Sequence, residues 1–536
     1  MRSTPGRAWP IHPLLFAAYA VLFLFAQNVA EVGLHDAVPP LGRSVIGAGL
    51  ALAICGLLYR DLRRGALVAT ALVAAFFGYG HVAKLLGEDP SREVMLAGWG
   101  ILILVVVLLA WKLPAKRIAS ITIALDVIAA ALVVFSLVQI VPTEMDAIAA
   151  ASAPLPDRPA PHPGDPDIYF IIFDRYGNED SLKLLSGVDN DLPAYLESKG
   201  FQVAHDARAN YGRTALSIAS TFHLDYLDDL IAKVGAQSTD MAPLNEMLQD
   251  HEVGRTLRER GYKLYQLGSW FTPTSTSRIA DEVIQPGRET DFEVLLRDTT
   301  MLPVVDDLVV KPEIVHSDLQ HREFGLFQFR ELERIRSDPG PKFVFAHILL
   351  PHPPYVFDAD GSYPTAAERS QPDPVRLVPQ LTYTNTRIRE LVDQLLDAPE
   401  GKQPIVILAA DEGPYPPGYG GDHGTFDWAT ASDEALRIKY GILDAFHFPA
   451  GMDQPIPEEM SPVNTFRLVF DRAFGMDLPL LPDRSYTSVD WPHAYDLTDV
   501  TARLDASLGM TPEATATPDA SVAPGASPAP VASPGG

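Results

Sequence analysis

Six apolar residues, Ile405-Val406-Ile407-Leu408-Ala409-Ala410, run into two adjacent carboxylates, Asp411-Glu412, and then into Gly413-Pro414. A second stretch of the same build, Ile168-Tyr169-Phe170-Ile171-Ile172-Phe173, ends in Asp174. Short apolar runs that stop at turn residues read as buried strands of a largely parallel sheet. In open α/β sheets, ligands collect just beyond the carboxyl ends of the strands, where these acids fall. Carboxylates gathered at such a place are the donors a hard cation needs.

Three further segments carry reactive side chains. In Asn210-Tyr211-Gly212-Arg213-Thr214, a helix is expected to begin near Thr214, because Ala215, Ile218, Ala219 and Phe222 share one helical face. A hydroxyl there sits among unpaired N–H groups, which suits binding of phosphate or sulfate and stabilisation of an alkoxide. Thr214 or Ser217 acting only as a helix cap is the other reading of the same residues. The run 343–350 leads into Pro351-His352-Pro353-Pro354, placing His347 and His352 near a strand end. The loop after Asp411-Glu412 adds Asp422-His423-Gly424.

The elements that must hold these residues follow from the apolar pattern. Strand-like runs at 168–173, 262–266, 343–350 and 405–410 alternate with helix-like segments at 192–199, 245–260, 382–396 and 463–474. That alternation predicts a layered α/β fold with a largely parallel central sheet. Ahead of it lie five apolar stretches, 11–30, 44–59, 65–85, 95–111 and 118–141, the second being the shortest. Most approach the length that crosses a bilayer. Arg2 and Arg7 precede the first; Arg60, Arg63 and Arg64 follow the second; Lys112, Lys116 and Arg117 follow the fourth. The alternate links carry Arg43, Lys84 and Arg92 beside Glu31, Asp36, Glu88, Asp89 and Glu93. The positive-inside rule then puts the N-terminus in the cytoplasm and everything after the fifth span outside it. His81 and Asp126 are the notable ionisable residues within the spans, and packing or interfacial positions are expected for them.

The expected division is therefore a five-helix transmembrane region at 1–142, an Ala/Pro/Asp-rich linker at 143–166, an α/β domain at 167–500 and a tail at 501–536. From Thr511 the tail is mostly Ala, Pro, Ser, Thr and Gly, a composition that cannot bury enough surface to fold. The net charge of -26 argues against nucleic acid as a partner, since phosphate backbones require clustered Lys and Arg. The one cysteine, Cys55, lies in an apolar stretch, so the α/β part has no disulfide and no thiolate metal site.

In order, spacing and strand context these segments resemble the sulfatase-like branch of the alkaline phosphatase superfamily. The layout is similar to that of membrane-anchored lipoteichoic acid synthases and lipid A phosphoethanolamine transferases. The resemblance spans roughly 165–480, and the five spans extend it to the N-terminus. It implies an extracytoplasmic α/β sandwich on a bacterial inner-membrane anchor. It implies Thr214 as nucleophile; Asp174, Thr214, Asp411 and Glu412 as ligands of one divalent metal; and His347, His352 and His423 as substrate-binding or acid/base groups. The implied activity is metal-dependent hydrolysis or transfer on phosphate esters through a phospho-threonine, moving a phospho-head group between a membrane lipid and a cell-envelope polymer. Two departures stand out: Glu412 where relatives carry His, and Asp174 where many transferases carry Glu. An all-oxygen shell favours Mn²⁺, Mg²⁺ or Ca²⁺ over Zn²⁺. The alternatives are a sulfuric ester hydrolase, although no Cys/Ser-x-Pro-x-Arg motif surrounds Thr214, and a non-catalytic envelope protein in which Glu412 marks a degraded site.

Overall fold

The computed structural model of the chain describes residues 9–29, 32–86, 91–151, 155–287, 290–309, 316–399, 402–419, 426–428 and 430–509. The tail expected from Thr511 lies outside them. Five helices lead: α1 (His12–Gln27), α2 (Leu34–Tyr59), α3 (Leu62–Leu86), α4 (Arg92–Lys112) and α5 (Ala115–Ala151). Among the described residues, four of these helices, α2 to α5, are long and apolar enough to cross a membrane by length and composition. The shortest is α1, at 16 residues, or roughly 24 Å.

Two boundaries differ from the sequence reading. Helix α2 reaches back to Leu34 through Pro39 and Pro40, so the second apolar helix is not the short one. Helix α5 continues through Pro142 to Ala151, into the stretch assigned to the linker. Proline reads as a breaker, yet in apolar helices neighbouring groups re-satisfy the backbone it frees. Asp126 also has a definite task. Its Oδ1 accepts from the backbone N–H groups of Ile11 (3.0 Å) and His12 (2.8 Å), capping α1 from α5. His81 is exposed.

The α/β part holds strands β1 (Ile168–Phe173), β2 (Gln202–Val203), β3 (Lys263–Leu267), β4 (Glu282–Ile284), β5 (Lys342–Ile348), β6 (Ile405–Ala409) and β7 (Asp444–His447). Among the described residues they form one sheet in the order β2-β7-β6-β1-β5-β3-β4. The run from β6 to β4 is parallel, while β7 and β2 pair antiparallel at one edge. A small antiparallel pair follows, β8 (Tyr486–Ser488) with β9 (Leu497–Asp499). The helix expected over 245–260 is two helices, Ala242–Gln249 and Glu252–Glu259. His251 divides them: its Nδ1 accepts from Gly254 N–H at 3.0 Å and caps the second. A histidine is an uncommon cap, and the continuous apolar periodicity masked it.

One aromatic cluster places the helix Thr214–His223. Phe170 of β1 and Phe345 of β5 are paired across the ladder and stack at 5.5 Å. Phe222, from the last turn of that helix, meets them at 5.8 and 4.8 Å. From Phe222 back to Thr214 the helix climbs about 12 Å. From Phe170 to Asp174 the strand advances about 13 Å. The helix start therefore stands level with the carboxyl end of β1. Phe222→Ala is expected to destabilise the protein by about 3–5 kcal/mol, read as a lowered melting temperature in detergent solution.

Asp444 opens β7 with both carboxylate oxygens buried and without hydrogen-bond partners among the described residues. Burial, with Asp483 nearby, pushes its pKa well above the ordinary 3.8. The fold therefore favours the protonated form, and the stability this lends is full below the unfolded pKa and is lost as pH rises toward the folded one. Asp444→Asn should raise the melting temperature at pH 7 and leave it nearly unchanged at pH 4. Equal shifts at both would refute the assignment.

Candidate metal centre and active site

Strand register brings the acids together. Ile172 of β1 is paired with His347 of β5 on one side and with Ala409 of β6 on the other. Side chains alternate along strands, so Asp174 (two beyond Ile172) and Asp411 (two beyond Ala409) project side by side from one sheet face, with His347 two residues short of them on the same face. One ligand atom from each of Asp174, His347 and Asp411 lies within 4.8 Å of the other two, an arrangement able to hold a metal ion. His347, Asp411, Glu412 and Asp174 are 0, 1, 2 and 3 % exposed, so an uncompensated charge here is expensive.

Compensation is uneven. Burial works to raise the Asp174 pKa, but His352, His347 and Arg175 overcome it and hold the carboxyl below its usual range. Asp411 is pushed up to about 7 by burial and by its neighbours Asp174 and Glu412; His347 and a hydrogen bond with Thr214 pull the other way. Asp174 Oδ1, Asp411 Oδ2 and His347 Nε2 are all buried without a hydrogen-bond partner among the described residues. Glu412 Oε2 is likewise without a partner, but among the described residues only Asp174, His347 and Asp411 bring ligand atoms within 4.8 Å of one another, a set that fits a divalent cation.

His347 is oriented for that task. Its Nδ1 lies 2.9 Å from Thr274 Oγ1, and Thr274 donates to the Phe271 carbonyl at 3.3 Å. His347 Nε2 lies 3.5 Å from Asp174 Oδ2, so the ring is held between the Thr274 hydroxyl and that carboxylate. His352 lines the same cavity; burial and Arg175 lower its pKa to about 3, so it is neutral near pH 7. His423 lies outside the described residues.

Thr214 opens its helix as the first helical residue. The cap position belongs to Arg213, which makes no side-chain capping bond, so Thr214 and Ser217 are not the caps. Asn210 secures the preceding loop by donating to Arg484 O (2.8 Å) and accepting from Val463 N–H (2.8 Å). Arg213 donates to the carbonyls of Asp490 and Trp491, between β8 and β9, and stacks on the Trp491 ring at 4.6 Å.

Glu412 does something the sequence did not show. Its Oε1 is 2.7 Å from Lys439 Nζ and accepts from Arg175 Nε at 3.2 Å. It is absent from the Asp174–His347–Asp411 group. Gly413 enforces the contact: a Cβ there would lie 2.4 Å from the Ile438 carbonyl, so only glycine lets this turn reach the end of the helix Asp433–Tyr440. Lys439 is buried, which lowers its pKa to about 8 against the pull of Glu412. The only sequence signal for Lys439 was one lysine in an otherwise amphipathic helix, and for Arg175 its place beside Asp174.

A cavity of about 730 Å³ joins Thr214, Asp174, Glu412, Arg175, Arg213 and His352. Its walls include Trp270, Phe271, Tyr415, Tyr419 and Trp491, together with Asn28 and Val32 from the connection between α1 and α2. The α/β part meets the leading helices through the helix Asp291–Thr299, whose Phe292 packs edge-on to Phe25 of α1 at 6.0 Å.

A scan against protein-family models and a search of curated proteins return no match. Among solved structures the chain is similar to the integral membrane lipooligosaccharide phosphoethanolamine transferase A from Neisseria meningitidis: 14% identity, TM-score 0.36, over 86% of this chain and 95% of that one. It is also similar to the phosphonate monoester hydrolase of Agrobacterium radiobacter: 12% identity, TM-score 0.39, over 65% and 83%. A protein in the alkaline phosphatase superfamily from Vibrio parahaemolyticus shows 14% identity and TM-score 0.36, over 63% and 79%. Likenesses of this size carry no argument about chemistry; the site's own geometry does.

Returning Mn²⁺ or Zn²⁺ to chelator-treated protein is expected to stabilise it by about 2.7 kcal/mol at a hundredfold excess over Kd, read as a higher melting temperature with one ion bound per chain. Asp174→Asn and Asp411→Asn should each lose that response. A response that survives both places the ion elsewhere.

Proposed function

We propose that the protein is a membrane-anchored, metal-dependent phosphotransferase or phosphohydrolase of the sulfatase-like type, with Thr214 as nucleophile. One observation carries this reading. Thr214, at a helix N-terminus, shares a cavity with Asp174 and stands beside Asp411 of the buried Asp174–His347–Asp411 group. Asp174, Asp411 and His347, joined by Thr214 Oγ, would hold one divalent cation. When bound, it supplies Lewis-acid polarisation of a phosphoryl oxygen. The imidazole changes the expected all-oxygen donor set and brings Zn²⁺ level with Mn²⁺, at the expense of Mg²⁺ and Ca²⁺.

The residues then divide the work. Thr214 Oγ attacks phosphorus in line while its proton passes toward Asp411. A P–O bond to Thr214 forms as the bond to the leaving oxygen breaks. The unpaired N–H groups of the helix start face the developing negative charge. Asp411, having passed its proton to the leaving oxygen, accepts the proton of an incoming hydroxyl or water and returns it to Thr214, while the neutral His352 is left to bind a non-bridging oxygen. The incoming nucleophile attacks phosphorus, breaks the bond to Thr214 and restores the hydroxyl.

The cavity wall from the α1–α2 connection supports a substrate at the membrane surface, a lipid or an envelope polymer, which tethering would hold at high local concentration. The catalytic domain is placed outside the cytoplasm of a bacterial cell, on the basic residues that flank alternate spans.

Thr214→Ala is expected to abolish turnover of a phosphodiester substrate at saturating metal while the melting temperature of the metal-free protein stays that of the wild type. Mass spectrometry of protein quenched during turnover should show a phospho-adduct on Thr214 and identify its head group. Turnover retained by Thr214→Ala would end this assignment.

A further inference from the structure

We infer that Arg175 is the residue that grips the substrate's tetrahedral oxyanion, and that Glu412 is its anchor and the counter-ion of Lys439, not a metal ligand. The inference rests on the proposed function and adds a substrate-binding group that the sequence did not single out.

Arg175 is held at three points. Its backbone N–H donates to Asp411 Oδ1 at 3.2 Å, its Nε to Glu412 at 3.2 Å and its Nη2 to the Tyr415 hydroxyl at 2.5 Å. The guanidinium also lies 3.6 Å over the Tyr415 ring. The backbone adopts φ +58, in the left-handed region that a long side chain enters only under constraint. So fixed, the residue lines the cavity beside Thr214 and Asp174. Its Nη1 has no protein partner among the described residues. A planar fork with one edge anchored and the other open is pre-organised for two oxygens of a phosphate-like group.

A purely structural role would make Arg175 the counter-ion of Asp174, whose Oδ1 is 3.9 Å from its Nε, and above all the partner of Glu412. Lys439 already fills the second role at a shorter distance, 2.7 Å against 3.2 Å, and both cations converge on the same oxygen, Oε1. Without a bound cation the carboxylates Asp174, Asp411 and Glu412 outnumber Arg175 and Lys439. With a divalent ion between Asp174 and Asp411, the whole site carries a net positive charge that an incoming oxyanion neutralises. Lys439 does not line the cavity; it lies 4.2 Å from the Tyr415 ring and acts through Glu412. Glu412 and Lys439 are positioning residues, and Arg175 touches the substrate.

The test uses the full chain in detergent, with inorganic phosphate as the probe and bound metal measured by elemental analysis. Arg175→Ala is expected to keep the metal and to weaken phosphate about tenfold to a hundredfold, the loss of charge-assisted hydrogen bonds. Arg175→Lys keeps the charge without the fork and should recover only part of that affinity; it decides the matter if the alanine variant melts early. Glu412→Gln should keep one metal per chain and also weaken phosphate. Sulfate titrated in parallel separates the two tetrahedral anions, and tighter phosphate is the expected order. Glu412→Gln protein that loses its metal, or Arg175→Ala protein that binds phosphate as tightly as wild type, overturns the inference. Neither measurement needs turnover, so an active Thr214→Ala variant would sink the proposed function without altering these two readouts.

Discussion

Three carboxylates, Asp174, Asp411 and Glu412, lie buried at one end of the sheet, and their mutual repulsion is the constraint on which the site depends. Water cannot screen them, so each requires a partner from the protein or from a bound ion. Glu412 has Lys439 and Arg175. Asp174 has Arg175, whose Nε is 3.9 Å from its Oδ1. Asp411 is the one left over, and its pKa of about 7 records the deficit. The unmet charge is gathered at the carboxylate beside Thr214, where a divalent cation does most to relieve it.

The sheet makes such a cluster possible. Strand β1 is central, flanked by β5 and β6, and all three end level because Ile172 registers with both His347 and Ala409. Strand parity then points His347, Asp174 and Asp411 to one side. The aromatic cluster around Phe170 and Phe222 packs the Thr214 helix on that same side. The site is thus held by elements with their own apolar cores, which fixes the positions of Asp174, His347, Asp411 and Thr214 relative to one another.

Contact with the leading helices runs through the helix Asp291–Thr299. Glu293 pairs with Arg43 of α2, and Met301 just beyond donates to the Phe76 carbonyl of α3 at 2.9 Å. At Gly80 of α3 an added Cβ would lie 2.5 Å from the Asp298 carbonyl, so glycine is what lets the two helices close together. Phe292 and Leu295 of the same helix line the cavity that holds Thr214. A shift of the apolar helices would therefore be felt at the cavity wall.

Much of this was legible in the residues. Apolar runs ending in acids fixed the sites of β1 and β6, and the alternation of runs and helices fixed the layered α/β class, because burial on both faces leaves a continuous apolar signature. The start of the helix at Thr214 was readable from its apolar face. Pairing was not. Whether His347 or Glu412 stands with Asp174 and Asp411 depends on strand register and on a turn that only Gly413 permits, and neither leaves a mark in local sequence. Lys439 is 27 residues from Glu412 in the chain, and nothing in its own helix marks it as the partner of a buried acid. The types and order of the charged groups are a property of the sequence; which charges meet, and so which carboxylate is left wanting a cation, was decided by the tertiary fold, because Coulomb energies in a buried site are set by distances that only packing determines.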